Sequence, residues 1–142
     1  MLMKSIPMRK GLKSKYIPAI GRRKTATARV RLYQKKGPII VNNFPIEKYF
    51  PGEVSKVLYM EPFRVTDTVD KYSATIKVEG SGKNGQLGAV IHGIARALVL
   101  ANKDFRPILK KKGFLTRDSR MKERRKAGYA HKARAKKISP KR

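Results

Sequence analysis

The sequence predicts a two-layer α+β domain, with three or four strands and a few helices, carrying basic extensions at both ends. Three observations predict it: two segments whose apolar residues recur every second position, one long segment with a helical stripe, and a charge concentrated outside all of them. The chain has 142 residues and a formal charge of +27. Residues 1–31 carry ten Lys/Arg and no acid, residues 32–104 ten against seven acids, and residues 105–142 sixteen against two. A nearly balanced centre between two strongly basic ends is the pattern of a small folded body with polyanion-binding extensions. The expected division is a basic extension over 1–15, a globular domain over 16–104 and a basic tail over 105–142.

Tyr16-Ile17-Pro18-Ala19-Ile20 reads as a strand whose proline suits a sheet edge, and Gly21-Arg22-Arg23-Lys24 as the basic hairpin turn after it. Residues 25–33 alternate: Ala26, Ala28, Val30 and Leu32 face a core, and Thr27, Arg29, Arg31 and Tyr33 face water. Gly37-Pro38 is a turn, followed by a short strand Ile39-Ile40-Val41 that Asn42-Asn43 stops. Pro45 opens a short helix with Ile46, Tyr49 and Phe50 on one side. Pro51 starts a second helix, expected to turn Val54, Val57 and Leu58 inward and to end before Pro62. Tyr72 to Glu79 alternates again. From Gln86 to Asn102 a helix is expected, with Leu87, Val90, Ile91, Ile94, Leu98 and Ala101 in one stripe and His92, Arg96 and Lys103 opposite.

Roughly 90 residues of body suffice for one modest core and leave no room for separate cofactor and substrate domains. There is no cysteine, hence neither disulfide nor thiolate metal site. No run of 18 apolar residues would span a membrane, and Met1 to Pro7 lack the apolar centre of a secretory signal. An organelle-targeting remnant competes there with a plain basic extension. Gly80-Ser81-Gly82-Lys83-Asn84-Gly85 has the setting of a dinucleotide fingerprint, with Asp104 about 20 residues on. The preceding strand is half-polar, however, and no second strand follows the helix. The glycines better suit a tight turn and a helix N-terminus approaching a phosphate, beside Lys83. His92 and His131 lie on unrelated segments without clustered acids, so neither metal binding nor general-base chemistry is expected. No enzyme activity, cofactor or metal is expected.

The runs Lys110-Lys111-Lys112, Arg124-Arg125-Lys126 and Lys136-Lys137 point to nucleic acid, because neutralising phosphates releases condensed counterions. Tyr129 and His131 could stack on unpaired bases, which suits RNA. Two competing readings are a free chromosomal or architectural DNA-binding protein and a small nucleotide-binding enzyme using the Gly80–Gly85 loop.

Several strings together resemble one family, small-subunit ribosomal protein nine in its bacterial-type form. They are Gly21-Arg22-Arg23-Lys24-Thr25-Ala26 with Ala28-Arg29-Val30, Val41-Asn42-Asn43 with Tyr49-Phe50, Gly85-Gln86 with His92-Gly93-Ile94-Ala95-Arg96-Ala97-Leu98, and Gly113-Phe114-Leu115-Thr116-Arg117-Asp118-Ser119-Arg120 with Glu123-Arg124-Arg125-Lys126. The resemblance covers residues 16–142 and ends on Lys141-Arg142. It implies a four-stranded sheet packed against helices, with a left-handed βαβ crossover against the usual preference. It also implies a structural role in the head of the small subunit of a bacterial cytoplasmic ribosome, or alternatively an organellar one. Small-subunit ribosomal RNA, neighbouring head proteins and the peptidyl-site tRNA are the implied partners. Arg22, Arg23, Lys24, Arg29, Arg31, Lys83, Arg96, Lys110, Lys111, Lys112, Arg117, Arg120, Arg124, Arg125 and Lys126 are the expected ribosomal-RNA contacts, and Lys141 and Arg142 the expected tRNA contacts. Two departures stand out. Pro140 separates Ser139 from Lys141, where the family ends on Ser-Lys-Arg, and Ser81 replaces the middle of three glycines.

Overall fold

A computed structural model describes residues 16–134. Its elements run β1 (Ile17–Arg23), β2 (Ala26–Tyr33), β3 (Ile39–Val41), β4 (Phe44–Pro45), α1 (Ile46–Tyr49), α2 (Glu53–Val65), β5 (Ser73–Glu79), α3 (Lys83–Ala101) and α4 (Phe105–Lys111). The sheet has five strands in the order β1-β2-β5-β3-β4, not four. The added strand is β4, only two residues long, paired back onto β3. Asn42 and Asn43 both adopt positive φ, 47° and 69°, and so turn β3 into a hairpin where the sequence suggested a stop. β1, β2 and β5 are antiparallel neighbours, whereas β3 lies parallel to β5, so α1 and α2 form the crossover between them.

The period-two residues divide as expected. Ala28, Val30 and Leu32 of β2 stand opposite Val78, Ile76 and Ala74 of β5, and all six are buried. α3 lies over this face with Leu87, Val90, Ile94 and Leu98 buried. Each such side chain contributes about 1.5–3 kcal/mol through burial, so this stripe is the main cohesive element. The helix approaches β1 closely because Gly21 and Gly93 face each other. A methyl group on Gly21 would overlap the Ala89 carbonyl oxygen and the Gly93 amide, and one on Gly93 would sit 2.6 Å from a Val30 methyl.

α2 departs from the sequence reading. Val54, Val57 and Leu58 point outward, and Tyr59, Pro62 and Phe63 are buried instead. At 100° per residue these form two stripes about 140° apart. The stripe holding two aromatic rings removes more apolar area from water and takes the core side. The helix also continues through Pro62 to Val65. Burial of Pro62 and Phe63 offsets the lost backbone bond, and the Thr66 hydroxyl donates to the Pro62 carbonyl at 2.9 Å.

The packed body reaches beyond residue 104. Leu109 of α4 is completely buried, and Phe105, Phe114 and Leu115 pack against the core. From Thr116 to Arg134 the chain has no helix or strand.

Candidate nucleic-acid interface

The face of the sheet opposite α3 is basic. Alternation places Arg29 and Arg31 on it from β2 and Lys77 from β5, all exposed, with Arg22 from β1. Arg29 stands directly opposite Lys77. Like charges paired across strands are destabilising in an isolated protein and make sense against a polyanion. Two aromatic rings accompany them: the Arg31 guanidinium lies 5.2 Å from the Tyr16 ring centre, and Tyr16 and Tyr33 meet at 6.1 Å. Among the described strand residues Glu79 is the one acid on this face, 3.0 Å from Lys77. The hydrogen bond and charge of Lys77, with a smaller contribution from Arg29, hold its carboxyl below the usual range. Among the described residues, neither Arg29 nor Arg31 forms an ion pair with a carboxylate.

A groove of about 870 Å³ follows β1, and five arginines line it: Arg22, Arg29, Arg31, Arg96 and Arg106. β1 is an edge strand, and α3 occupies part of its free edge. Arg96 donates to the Ile20 carbonyl at 2.6 Å, and the Arg22 amide donates to His92 Nδ1 at 3.2 Å. His92 is also hydrogen-bonded to the Leu115 backbone; burial, with Arg96 and Arg117 nearby, pushes its pKa below the ordinary imidazole value. It is therefore held neutral, accepting through Nδ1 and joining β1, α3 and the segment after α4. The sequence placed His92 with Arg96 and Lys103 on the side of the helix opposite its apolar stripe, and there it acts as a clip onto β1. Pro18 has no N–H to offer at the edge, which further blunts it against strand addition.

The tip of the β1–β2 hairpin meets the start of the tail. The strand continues to Arg23, so the turn lies at Lys24, with φ 51°, and Thr25. Asp118 pairs with Arg23 and, at 2.8 Å, with Arg120. Arg117 donates to the Lys24 carbonyl at 3.3 Å and to the Asp118 carbonyl. The Asp118 carboxylate thus gathers Arg23 and Arg120, and its backbone carbonyl holds Arg117, beside Lys24. The glycine-rich loop closes on the same turn: a methyl group on Gly80 would lie 2.6 Å from the Thr25 carbonyl oxygen. α3 follows this loop, and α4 rather than a strand comes next, so no dinucleotide-binding βαβ unit is completed.

Lys83 sits in the first turn of α3 with its ammonium 3.4 Å from the Tyr49 ring centre. Tyr49 in turn donates to Gln86 Oε1 at 2.8 Å and accepts from Asn42 at 3.2 Å. Asn42 pairs with both the N–H and the C=O of Val78 at 2.9 Å. The strings Val41-Asn42-Asn43, Tyr49-Phe50 and Gly85-Gln86 therefore meet in one network that fixes the loop carrying Lys83.

Of the remaining expected contacts, Lys110, Lys111 and Lys112 are exposed at the end of α4, away from the carboxylate cluster in hydrogen bonding. Arg124 and Arg125 are exposed, and Lys126 donates to the Ala133 carbonyl at 3.1 Å within a loop closed by Glu123 and Arg134 at 2.8 Å. Lys141 and Arg142, with Pro140, lie outside the described residues. Sequence reasoning passed over Arg106 in the groove and Asp118 at the hairpin. Arg106 offered no periodicity to place it, whereas Asp118 was visible as an acid flanked by Arg117 and Arg120.

The arrangement can neutralise phosphates along an open face and groove and offer aromatic rings for stacking. A family model described as Ribosomal protein S9/S16 matches residues 21–142.

Proposed function

The chain belongs to the ribosomal protein S9/S16 family, and from that premise we propose that it is a constituent of the small-subunit head, its tail tip reaching the peptidyl-site tRNA. The family makes it a structural ribosomal protein that binds ribosomal RNA rather than an enzyme. Within that role we assign ribosomal RNA to the open sheet face, the β1 groove and the Asp118 cluster. The observation that carries this is the groove along β1 lined by five arginines, of which Arg29 and Arg31 are neutralised by no carboxylate among the described residues. The same reading gives the β3–α2–β5 crossover the left-handed sense of the family and places the protein in a bacterial-type ribosome.

The test is RNA binding by full-length protein over a range of salt. Replacing Arg29 and Arg31 together by Gln weakens binding to small-subunit ribosomal RNA and flattens the salt slope by about 0.7–0.9 per lost phosphate contact. Melting temperature hardly moves, because exposed charges contribute little to stability. A large fall in melting temperature with an unchanged slope would make these arginines structural and defeat the assignment.

For the tail tip, the 26 residues from Arg117 to Arg142 could span roughly 85–95 Å if fully extended, enough to leave a surface domain and enter the subunit interior. Arg142 offers a bidentate guanidinium and Lys141 a mobile point charge to tRNA phosphates. Deleting both leaves subunit assembly intact and modestly accelerates tRNA release from the peptidyl site. Unchanged release across low to moderate salt removes the tRNA contact from the proposal.

A further inference from the structure

One side of the molecule has the opposite character to the basic faces. α2 turns Val54, Val57 and Leu58 outward at spacings of three and four, 75, 48 and 39% exposed. Val69, in the loop that follows, is 40% exposed. Beside this stripe, α2 walls an apolar groove of about 410 Å³ with Ile39, Ile46, Met60, Phe63 and Tyr72. Tyr59, whose buried hydroxyl finds no hydrogen-bond partner among the described residues, lines the same groove. An exposed apolar stripe flanked by an apolar groove, the two adjoining at Val57 and Met60 on the helix, marks a contact with another molecule on a small protein.

Charge decides which kind. Five of the nine acids, Glu47, Glu53, Glu61, Asp67 and Asp70, fall within residues 47–70, against three bases, Lys48, Lys56 and Arg64. That stretch carries −2 while the rest of the chain carries +29. Glu47 and Asp70 stand at the groove, Glu47 paired at 3.4 Å with Lys56, which also lines it. Asp70 is thus the groove acid without a base on it among the described residues, and Glu61 shares the face of the apolar stripe. This stretch lacks the cationic excess that would attract RNA phosphates or anionic lipid headgroups. A second copy docking symmetrically would set acids against acids.

We propose that the outer face of α2 and the groove beside it dock a basic segment of a neighbouring protein, anchored by apolar side chains and flanked by Lys or Arg. The molecule then has an RNA side and a protein side. The inference rests on the ribosomal reading, since it requires a ribonucleoprotein in which basic proteins lie close together. The apolar stripe supplies the binding energy, and the surrounding acids select a cationic partner and steer its approach.

The test places a photoreactive amino acid at Val57 of the full-length chain, and at Arg29 in a separate sample, in reconstituted small ribosomal subunits. Mass spectrometry then identifies what each position is joined to. The expected result is a Lys/Arg-rich peptide of one other protein from position 57 and ribosomal RNA from position 29. A cross-link from 57 to RNA, to a second copy of this chain, or to its own residues 1–15 overturns the proposal, as does no cross-link at all. If position 29 fails to reach RNA while 57 finds a basic protein, the RNA assignment of the open face fails and the docking surface stands. Val57→Glu with Leu58→Glu supplies an independent readout. Both side chains are exposed, so folding survives, and the cross-linked neighbour is held on the order of tenfold or more weakly. Its undiminished retention would show that the stripe carries no contact.

Discussion

The open sheet face and the tail from Thr116 to Arg134 are both rich in arginine, yet they hold it in different ways. On the sheet, Arg29 and Arg31 project from a strand whose other side is locked under α3. Their positions are set before any ligand arrives, and binding costs little further ordering. In the tail there is no core to set them. Order comes from two carboxylates: Asp118 gathers Arg23 and Arg120, and Glu123 holds Arg134. Arginines on the sheet are thus preorganised by apolar packing, and those in the tail by ion pairs that salt and competing phosphates can exchange. Under the proposed RNA reading the two arginine-rich regions would contribute differently: the first would fix orientation, and the second would adapt to the surface it meets.

The largest effect comes from breaking the packed region at its closest contact. Gly21→Ala drives a methyl into the backbone of Ala89 and Gly93, which nothing flexible can relieve. The expected loss is roughly 4 kcal/mol, lowering the melting temperature on the order of 20 °C. Calorimetry checks it, and RNA binding through the sheet face fails with the fold. A near-normal melting curve would mean that α3 can lift from β1 cheaply, and the claim of preorganisation would lapse.

Acid acts where the two regions join. His92 is neutral, and burial, aided by Arg96 and Arg117, lowers its pKa. In the unfolded chain it takes up a proton near pH 6.5, before the folded protein does. Stability from this group is therefore full above that pH and declines as pH falls through the interval down to the depressed folded value, by at most about 1.4 kcal/mol per pH unit. Protonation also removes the acceptor for the Arg22 amide. Denaturant titrations between pH 7.5 and 5 should show a slope that His92→Gln flattens; equal slopes in both proteins would refute the clip.

Smaller still is Asp118→Asn. Its ion pairs are partly exposed, so global stability changes by about 1 kcal/mol or less. Amide exchange from Arg117 to Arg120 nevertheless quickens while Ile76 and Ile94 stay protected. If Ile94 also loses protection, the tail junction belongs to the body's cooperative unit. The smallest effect is expected from Glu123→Gln. Arg134 holds this carboxyl below its usual range through a hydrogen bond and its charge, yet the group is fully exposed. Melting temperature should not move, and exchange around 123–134 should be fast before and after. A measurable shift would reveal packing in the tail.

What could be read from the sequence was what depends on near neighbours along the chain. Alternation in β2 and β5 and the stripe of α3 identified their buried faces, because a strand's faces swap every residue and a helix's recur every turn. The helix limits moved only from Gln86–Asn102 to Lys83–Ala101. The same logic failed on α2, where two apolar stripes competed and only the core could choose Tyr59 and Phe63 over Val54, Val57 and Leu58. β4 escaped because two residues carry no period. The basic residues at the interface were legible as residue types, but their grouping was not. Nothing local shows that Arg106 joins a groove with Arg22 and Arg96, or that His92 faces the Arg22 amide 70 positions away.

Sequence by itself determined that this chain has one small α+β body, an excess of charge meant for phosphate, and the family to which it belongs. Those properties are carried by composition, short periods and contiguous strings. Tertiary structure alone decided which cations share a surface, which histidine is occupied, and which apolar stripe is left outside. Each of these depends on contacts between residues far apart in the chain, and such contacts are selected by competition for one core.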